Sequence, residues 1–371
     1  MTGQQFIAER IAGIGSSGIR RIFDLAAAMT DPIDMSMGQP DFDTPEPIKR
    51  AAIAAIEQGA NGYTVTQGLP ELREKLTARL KTRYDWDPDV LVTCGVSGGL
   101  VLALMACLNP GDEVLIGDPY FVSYPILIEL FGGRPVQVDL YDDFALDPER
   151  FEAAVTERTK LVLVNSPANP TGVVAPEDRI RALADIARRH DLLLISDEIY
   201  DVLSYDGPAA SPVRFAPERT LLLGGFGKSY GMTGWRMGYA AGPTDVIAQM
   251  AKLQQFTFVC APQPAQRGCI TALDTDVSHL VADYRRKRDL VVEALQGTFE
   301  FAKPAGGFFI FPKVPARFDG ATAFAEEAIT HNVLVIPGNV FSRQDTHFRI
   351  SYAMHDDKLL KGCEILCGLA E

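Results

Sequence analysis

Short, nearly continuous apolar segments alternate with longer amphipathic segments over much of this 371-residue chain. The segments typical of buried strands are residues 90–93, 113–116, 135–138, 161–164, 192–196, 220–223 and 237–241. The segments with helical periodicity are residues 46–58, 69–83, 98–107, 122–131, 148–155 and 177–189. Strands without a polar face, separated by helices, are typical of parallel sheets covered by helices on both faces. We therefore predict an α/β fold whose large domain has three layers around a mostly parallel sheet.

The pattern changes near residue 276. A long amphipathic segment, 277–296, leads into short apolar runs interrupted by glycine and proline, which is typical of a smaller α+β domain. A chain of this length favours one large domain and one smaller one. We expect the large domain to span residues 46–275, and the small domain to combine residues 1–45 with residues 276–371.

Composition excludes several classes of partner. The formal net charge is −13 and no dense lysine and arginine cluster is visible, so we expect no nucleic acid partner. No run of about 20 apolar residues and no secretory signal is visible, so we expect no membrane partner. The six cysteines are scattered without a CxxC pair, which is typical of free thiols in a reducing cytoplasm. We therefore expect a cytoplasmic protein.

The window that carries most chemical information is residues 223–239, LGGFGKSYGMTGWRMGY. Lys228 follows a predicted strand and a glycine-rich turn, and its neighbours are small, aromatic or apolar. Such surroundings desolvate an ammonium group, which lowers the pKa of a lysine and makes its amine nucleophilic. Schiff-base chemistry requires an amine of this kind. Arg236 follows eight residues later.

This window resembles the lysine segment of class I/II aminotransferases, which are fold-type I enzymes dependent on pyridoxal 5′-phosphate (PLP). The resemblance implies that Lys228 forms the Schiff base with PLP and then moves a proton between the substrate Cα and the cofactor. It also implies that Arg236 pairs with the cofactor phosphate, a bidentate task that suits guanidinium. Gly225 stands where the family often has a serine whose hydroxyl binds that phosphate.

Two further windows, NSPANPTG at 165–172 and SDEIY at 196–200, follow predicted strands. Ligands of open α/β sheets bind at the carboxyl ends of strands. By the same resemblance, Asn169 and Tyr200 hydrogen-bond the phenolic oxygen of PLP, and Asn169 also orients the substrate carboxylate. Asp197 keeps the pyridine nitrogen protonated, which makes the ring an electron sink. We expect Glu198 to point away from this site.

The glycine-rich turn in TCGVSGGLVL, residues 93–102, leads from a predicted strand into a predicted helix. Backbone N–H groups at a helix N-terminus bind phosphate well. The resemblance implies that Val96 and Ser97 bind the phosphate here. In DPYFVSY it implies that Phe121 stacks on the pyridine ring, with Tyr120 and Tyr124 as neighbours.

Three more matches concern the substrate and a second subunit. Arg349, in HFRISYA, matches the arginine that binds the substrate α-carboxylate, and Gly38, in MGQPDFDTP, matches a glycine whose backbone approaches it. Tyr63, in GYTVTQG, matches a tyrosine that reaches the phosphate of the neighbouring subunit. The resemblance therefore implies a homodimer with shared active sites.

The resemblance implies an aminotransferase that moves an amino group between an L-amino acid and a 2-oxo acid by a ping-pong route. One alternative is a PLP-dependent C–S β-lyase, which uses the same fold and nearly the same residues. Another is a PLP-binding regulator, although the chain shows no basic helix-turn-helix extension. The side-chain specificity stays open, since no second cation can be placed beside the substrate.

Overall fold

The computed structural model of the chain describes residues 3–12, 14 and 29–371. Its main element is a seven-stranded sheet. The strands are β2 (Asp89–Cys94), β3 (Glu113–Asp118), β4 (Arg134–Asp139), β5 (Thr159–Asn165), β6 (Leu193–Asp197), β7 (Thr220–Gly225) and β8 (Met237–Gly242). Their order across the sheet is β2-β8-β7-β6-β5-β3-β4. Only β8 runs antiparallel to its neighbours in this sheet. The mostly parallel sheet predicted from the apolar segments is confirmed.

Helices cover both faces of this sheet. They are α2 (Glu46–Glu57), α3 (Pro70–Tyr84), α4 (Gly95–Cys107), α5 (Ser123–Leu130), α6 (Pro148–Ala153), α7 (Glu177–Arg189), α8 (Thr244–Phe256) and α9 (Gln263–Ala272), and a short α1 (Glu9–Ala12) precedes them. Alternate residues of a strand point to opposite faces. Leu163 accordingly packs with the core beneath α4 and α5, whereas Val162 and Val164 pack with the core beneath α6 and α7.

Most predicted elements agree with the structure to within two or three residues at each end, but two differences matter. The helix predicted to begin at residue 98 begins at Gly95, immediately after β2. Gly95 has a φ of +74°, a conformation that glycine adopts without strain, so the chain turns directly into the helix. Val96 and Ser97 therefore lie in the first helical turn. The helices α8 and α9 were not predicted.

The last quarter of the chain and one short strand near the N-terminus form a second group of strands and helices. An antiparallel sheet contains β11 (Ile336–Pro337), β12 (Phe348–Ser351) and β9 (Phe309–Ile310) in that order, and β1 (Ile33–Asp34) pairs in parallel with β10 (Val333–Leu334). The helices α10 (Ser278–Leu295), α11 (Gly320–Thr330) and α12 (Asp356–Ala370) pack on these strands in one apolar cluster.

A crevice opens where β5, β6 and β7 end. Asn165 and Asp197, the last residues of β5 and β6, are paired in register at this edge. Arg349 on β12 lies across the crevice and contacts Asn169, which follows β5. No helix among the described residues is both long and apolar enough to cross a membrane.

Candidate active site

A crevice of about 370 Å³ lies at the carboxyl edge of the sheet. Ten of the residues selected from the sequence line it: Gly38, Val96, Ser97, Phe121, Asn169, Asp197, Tyr200, Lys228, Arg236 and Arg349. Tyr63 does not line it, and 84% of its surface is exposed.

The Lys228 side chain extends into this crevice from the turn after β7. Burial lowers the pKa of its amine to about 8, and the nearby charges of Arg349 and Arg236 act in the same direction. The carboxylate of Asp197 opposes them. The amine donates a hydrogen bond to the backbone carbonyl of Gly38. A lysine with this pKa is partly deprotonated near neutral pH, so its amine can act as a nucleophile and as a base.

The carboxylate of Asp197 is held by two hydrogen bonds at the end of β6. The hydroxyl of Tyr124 donates to Oδ2 at 2.7 Å, and the backbone N–H of Ile199 donates to Oδ1 at 3.2 Å. Burial raises the pKa of Asp197 to about 6, while both hydrogen bonds and the charge of Lys228 lower it. The crevice therefore contains a buried carboxylate whose ionised form depends on its hydrogen-bond donors.

Tyr124 is a site residue that we had selected only as a neighbour of Phe121. Its side chain is buried, lines the crevice and packs edge-on against the Phe121 ring, with centroids 5.5 Å apart at 76°. Burial raises the pKa of its hydroxyl well above the usual value, so this group stays a donor. Its position three residues after Phe121, at the start of α5, was the signal in the sequence.

Two positive groups converge at the N-terminus of α4. A Cβ atom on Gly95 would lie 2.8 Å from Nη2 of Arg236, so the guanidinium occupies the space that a side chain would need. Arg236 itself adopts a left-handed backbone conformation, with φ at +56°. A guanidinium beside a helix N-terminus faces the positive end of the helix dipole. An anion between the two relieves this repulsion, so this corner fits a phosphate group.

The structure explains why residue 225 is a glycine and not the serine that is common in the family. A Cβ atom there would lie 2.6 Å from Cδ1 of Ile199 and 3.0 Å from Cγ2 of Val96. Ile199 therefore fills the volume into which a serine at residue 225 would project. A serine and a threonine, Ser97 and Thr233, line the same crevice.

Arg349 is the most deeply buried charged group of the crevice, with 1% of its surface exposed. Its Nη1 donates to Oδ1 of Asn169 at 3.0 Å, and its Nη2 donates to the carbonyl of Ser36 at 2.7 Å. The guanidinium lies between the rings of Phe309 and Phe341, 4.3 and 4.7 Å from their centroids.

Within the described part of the chain, Nε of Arg349 has no hydrogen-bond partner and no carboxylate oxygen lies within 4.0 Å of the guanidinium. Burial lowers the pKa of Arg349 to about 10, although the charge of Asp34 acts in the opposite direction. A buried cation without a direct ion-pair partner is costly, so this position fits a ligand that carries a carboxylate.

A second asparagine, Asn165, was missed in the sequence. Its Oδ1 accepts from the backbone N–H of Asn169 at 2.9 Å, and its Nδ2 donates to the carbonyl of Asp197 at 3.0 Å. It therefore ties the ends of β5 and β6 together. Tyr200 lies nearby with its ring edge-on to Phe308 and Phe309, and burial raises the pKa of its hydroxyl.

Glu198 lies outside this crevice. Its carboxylate accepts from the hydroxyls of Ser196 at 2.9 Å, Ser211 at 2.5 Å and Tyr84 at 3.3 Å. Burial raises the pKa of Glu198 to about 7. Neither Glu198 nor any of these three hydroxyl-bearing residues lines the crevice, so its position agrees with the expectation from the sequence.

A lysine, a carboxylate and an anion-binding corner at the carboxyl edge of a mostly parallel sheet define an enzyme site of the fold-type I class. The sequence model of the family "Aminotransferase class I and II" matches residues 30–366. The chain belongs to the class I and II aminotransferases, and it is therefore an enzyme of the transaminase type.

Two curated relatives show how much of the chain this similarity covers. The probable aspartate aminotransferase of Methanocaldococcus jannaschii is 40% identical over 98% of this chain and 100% of its own length. The aspartate/prephenate aminotransferase of Thermus thermophilus is 38% identical over 93% of this chain and 92% of its own.

Solved structures are similar over the same extent. The aspartate aminotransferase from Thermus thermophilus with maleate has a TM-score of 0.92 at 36% identity, and all of both chains is covered. The aspartate aminotransferase from Thermotoga maritima has a TM-score of 0.94 at 33% identity, covering 98% of this chain and 99% of that one. The predicted fold class is thereby confirmed.

Proposed function

We propose that this chain is a PLP-dependent aminotransferase that moves an amino group from an L-amino acid to a 2-oxo acid by a ping-pong route. One observation carries the proposal. The amine of Lys228, whose pKa is lowered to about 8, shares a crevice with the buried carboxylate of Asp197 and the guanidinium of Arg349. This set combines a nucleophilic amine, a partner for a ring nitrogen and a partner for a carboxylate.

The residues that would hold PLP are assigned from the sequence and agree with the geometry of the crevice. Lys228 would bind its aldehyde carbon, Asp197 its ring nitrogen and Phe121 its ring face, whereas Asn169 and Tyr200 would bind its phenolic oxygen. When bound, PLP supplies an electron sink for negative charge at the substrate Cα.

The phosphate of PLP fits the corner at the N-terminus of α4. Arg236 would pair with it, and the first helical turn at Val96 and Ser97 would donate hydrogen bonds to it. The close approach of the Arg236 guanidinium to Gly95 supports this assignment.

The remaining residues bind and orient the amino acid. Arg349 would bind the α-carboxylate together with Asn169 and the backbone of Gly38, which fixes the direction of the bonds at Cα. The amine of Lys228 would then take the proton from Cα. Lys228 and Arg349 line the same crevice, which supports a division of roles in which Arg349 would bind the substrate and Lys228 would move its proton.

We also propose that the enzyme is a homodimer with shared active sites. Large apolar or aromatic side chains are exposed on α2, in the loop that follows it and at the end of α8: Ile53, Ile56, Tyr63, Val65 and Phe256 (81% exposed). Exposed apolar groups of this kind mark protein–protein contacts. Tyr63 would reach the phosphate site of the second subunit.

Two further assignments follow the sequence. We propose that residues 46–275 form the large PLP-binding domain and that residues 1–45 with 276–371 form the small one. Residues 1–2, 13 and 15–28 of that range lie outside the described residues. We also propose a cytoplasmic location, which the six free cysteines support.

A half-reaction panel tests the proposed function. Each amino acid, beginning with aspartate, glutamate, phenylalanine and tyrosine, is added to the PLP-loaded enzyme without a 2-oxo acid. We expect the cofactor absorbance to shift to that of the pyridoxamine form, with one equivalent of 2-oxo acid released. A panel that gives no shift, or that gives pyruvate and ammonia from a cysteine conjugate instead, would contradict the proposal.

A further inference from the structure

Residues 35–44 line one side of the crevice through Met37, Gly38 and Gln39. Asp41 follows three residues after Gly38, and its carboxylate points away from the crevice toward α10. There it contacts two buried residues of this helix, Tyr284 and Lys287.

These three residues, which we call the Asp41 clamp, make a dense set of contacts. The hydroxyl of Tyr284 donates to Oδ1 of Asp41 at 2.9 Å and accepts from its backbone N–H at 3.2 Å. The ammonium of Lys287 forms an ion pair with Oδ2 of Asp41, and its side chain is only 8% exposed. A second carboxylate, that of Asp283, lies 3.4 Å from this ammonium.

The same segment is bound to the crevice on either side of the clamp. Before it, the carbonyl of Gly38 accepts from the amine of Lys228. After it, the hydroxyl of Thr44 donates to the carbonyl of Gly231 at 2.9 Å, three residues beyond that lysine. A Cβ atom on Gly231 would lie 2.8 Å from the carbonyl of Phe42, so the two backbones are in close contact.

From these contacts we propose that the Asp41 clamp positions the Gly38 carbonyl against the amine of Lys228. A buried lysine that takes no part in the chemistry is costly unless it is paired, so Lys287 fixes the location of Asp41. Asp41 in turn fixes the backbone three residues away. The clamp residues are positioning residues, because they act on Lys228 only through Gly38.

The part of this segment that precedes Gly38 is held by contacts of its own. The carbonyl of Met35 accepts from the N–H of Ser351 at 2.7 Å, and the carbonyl of Ser36 accepts from Arg349 at 2.7 Å. Both contacts precede Gly38 and do not involve α10. Loosening the clamp therefore affects the lysine and the Gly38 backbone more than it affects Arg349, which keeps its own contacts. The inference rests on the proposed function, in which Lys228 moves the proton.

Two variants break the clamp, and one retains it. Lys287→Met removes the ion pair, Tyr284→Phe removes the hydroxyl, and Lys287→Arg retains a cation. The matched control is Arg158→Met, which strips a cation from the buried carboxylate of Glu113. Arg158 pairs with Glu113 at 3.0 Å at the start of β3, the opposite edge of the sheet from the crevice.

Two measurements test these variants: the single-turnover half-reaction, and hydrogen–deuterium exchange over residues 36–44 of the enzyme. We expect Lys287→Met and Tyr284→Phe to lower the limiting rate constant about tenfold or more, while the amino acid dissociation constant, to which Gly38 also contributes, rises by a smaller factor. Exchange at residues 36–44 should quicken in both. Lys287→Arg should restore most of the rate, and Arg158→Met should leave rate and exchange unchanged.

Rates within twofold of the wild-type value in both clamp variants would overturn the inference. An equal loss in Arg158→Met would also overturn it, because the effect would then be one of general stability. If the wild-type enzyme itself transfers no amino group, the proposed function fails instead, and the exchange data still test whether the clamp holds the segment.

Discussion

The hydroxyl of Tyr124 donates a 2.7 Å hydrogen bond to Oδ2 of Asp197, and both side chains are almost completely buried. Burial alone raises the pKa of Asp197 toward neutrality, and this hydrogen bond is the largest influence that opposes it. Tyr124 also packs edge-on against Phe121. One side chain therefore supports both the carboxylate proposed for the ring nitrogen and the ring proposed to stack on the cofactor.

Tyr124→Phe tests this relationship. The variant keeps the ring and removes the donor, so the ionised form of Asp197 loses support and its pKa rises. A hydrogen bond to a charged group contributes about 1.5–3 kcal/mol. We expect the half-reaction rate constant to fall about tenfold or more, with weaker retention of PLP, measured by absorbance.

The control is Tyr120→Phe, since Tyr120 does not line the crevice and its hydroxyl makes no hydrogen bond within the part of the chain that the structure describes. It should leave the rate unchanged. In an Asp197→Asn background, Tyr124→Phe should have little further effect. Full additivity of the two substitutions would show that Tyr124 does not act through Asp197.

Arg349→Lys tests the proposal that Arg349 binds the α-carboxylate of the substrate. Lysine keeps the charge but lacks the planar fork that binds a carboxylate with two parallel hydrogen bonds. We expect kcat/KM for amino acids to fall about 100-fold, because one charged hydrogen bond contributes about 1.5–3 kcal/mol. The rate with the corresponding amine, which lacks the carboxylate, should change little. Equal losses for the amino acid and the amine would argue against carboxylate binding at this residue.

Gly225→Ser tests why residue 225 lacks the serine hydroxyl that often binds the cofactor phosphate in this family. The serine Cβ would collide with Cδ1 of Ile199, so the single variant should lose about 1–3 kcal/mol of stability and bind PLP less tightly. Adding Ile199→Val removes that carbon. The double variant should regain stability and bind PLP about tenfold more tightly than the wild type, measured by titration of the apoenzyme. Tighter binding in the single variant would show that Ile199 is no obstacle.

The pKa of Lys228 predicts how the apoenzyme takes up PLP. Only the deprotonated amine attacks an aldehyde, so the attachment rate should rise with pH with a midpoint near 8. The cations of Arg349 and Arg236 lower this pKa, so Arg349→Met should move the midpoint to higher pH. Asp197 raises it, so Asp197→Asn should move the midpoint lower. The rates are followed by absorbance from pH 6 to pH 10, and shifts of the opposite sign would contradict the electrostatic account.

The large sheet and most of the crevice could be predicted from the sequence because the signals are local. Lys228, Asp197 and Asn169 each follow an apolar strand, and parallel strands bring their carboxyl ends to one edge. Helix boundaries were less accurate where glycine was involved, since the φ of Gly95 lets α4 begin earlier than its apolar periodicity indicates.

The supporting contacts could not be predicted in the same way. Tyr124 and Asp197 are 73 residues apart in the chain, and Asp41 and Lys287 are 246 residues apart. No local pattern specifies such pairs, because tertiary packing alone brings them together. The role of Tyr63 stays a prediction, since it depends on a second subunit.

The most direct test of the central claim is to locate the cofactor on the chain. The PLP-loaded enzyme is reduced with borohydride, which makes the bond between lysine and cofactor permanent, and is then digested and analysed by mass spectrometry. The account predicts a single pyridoxyl-phosphate group on the peptide that contains Lys228. A label on another lysine, or no label on an enzyme that still catalyses amino transfer, would contradict it.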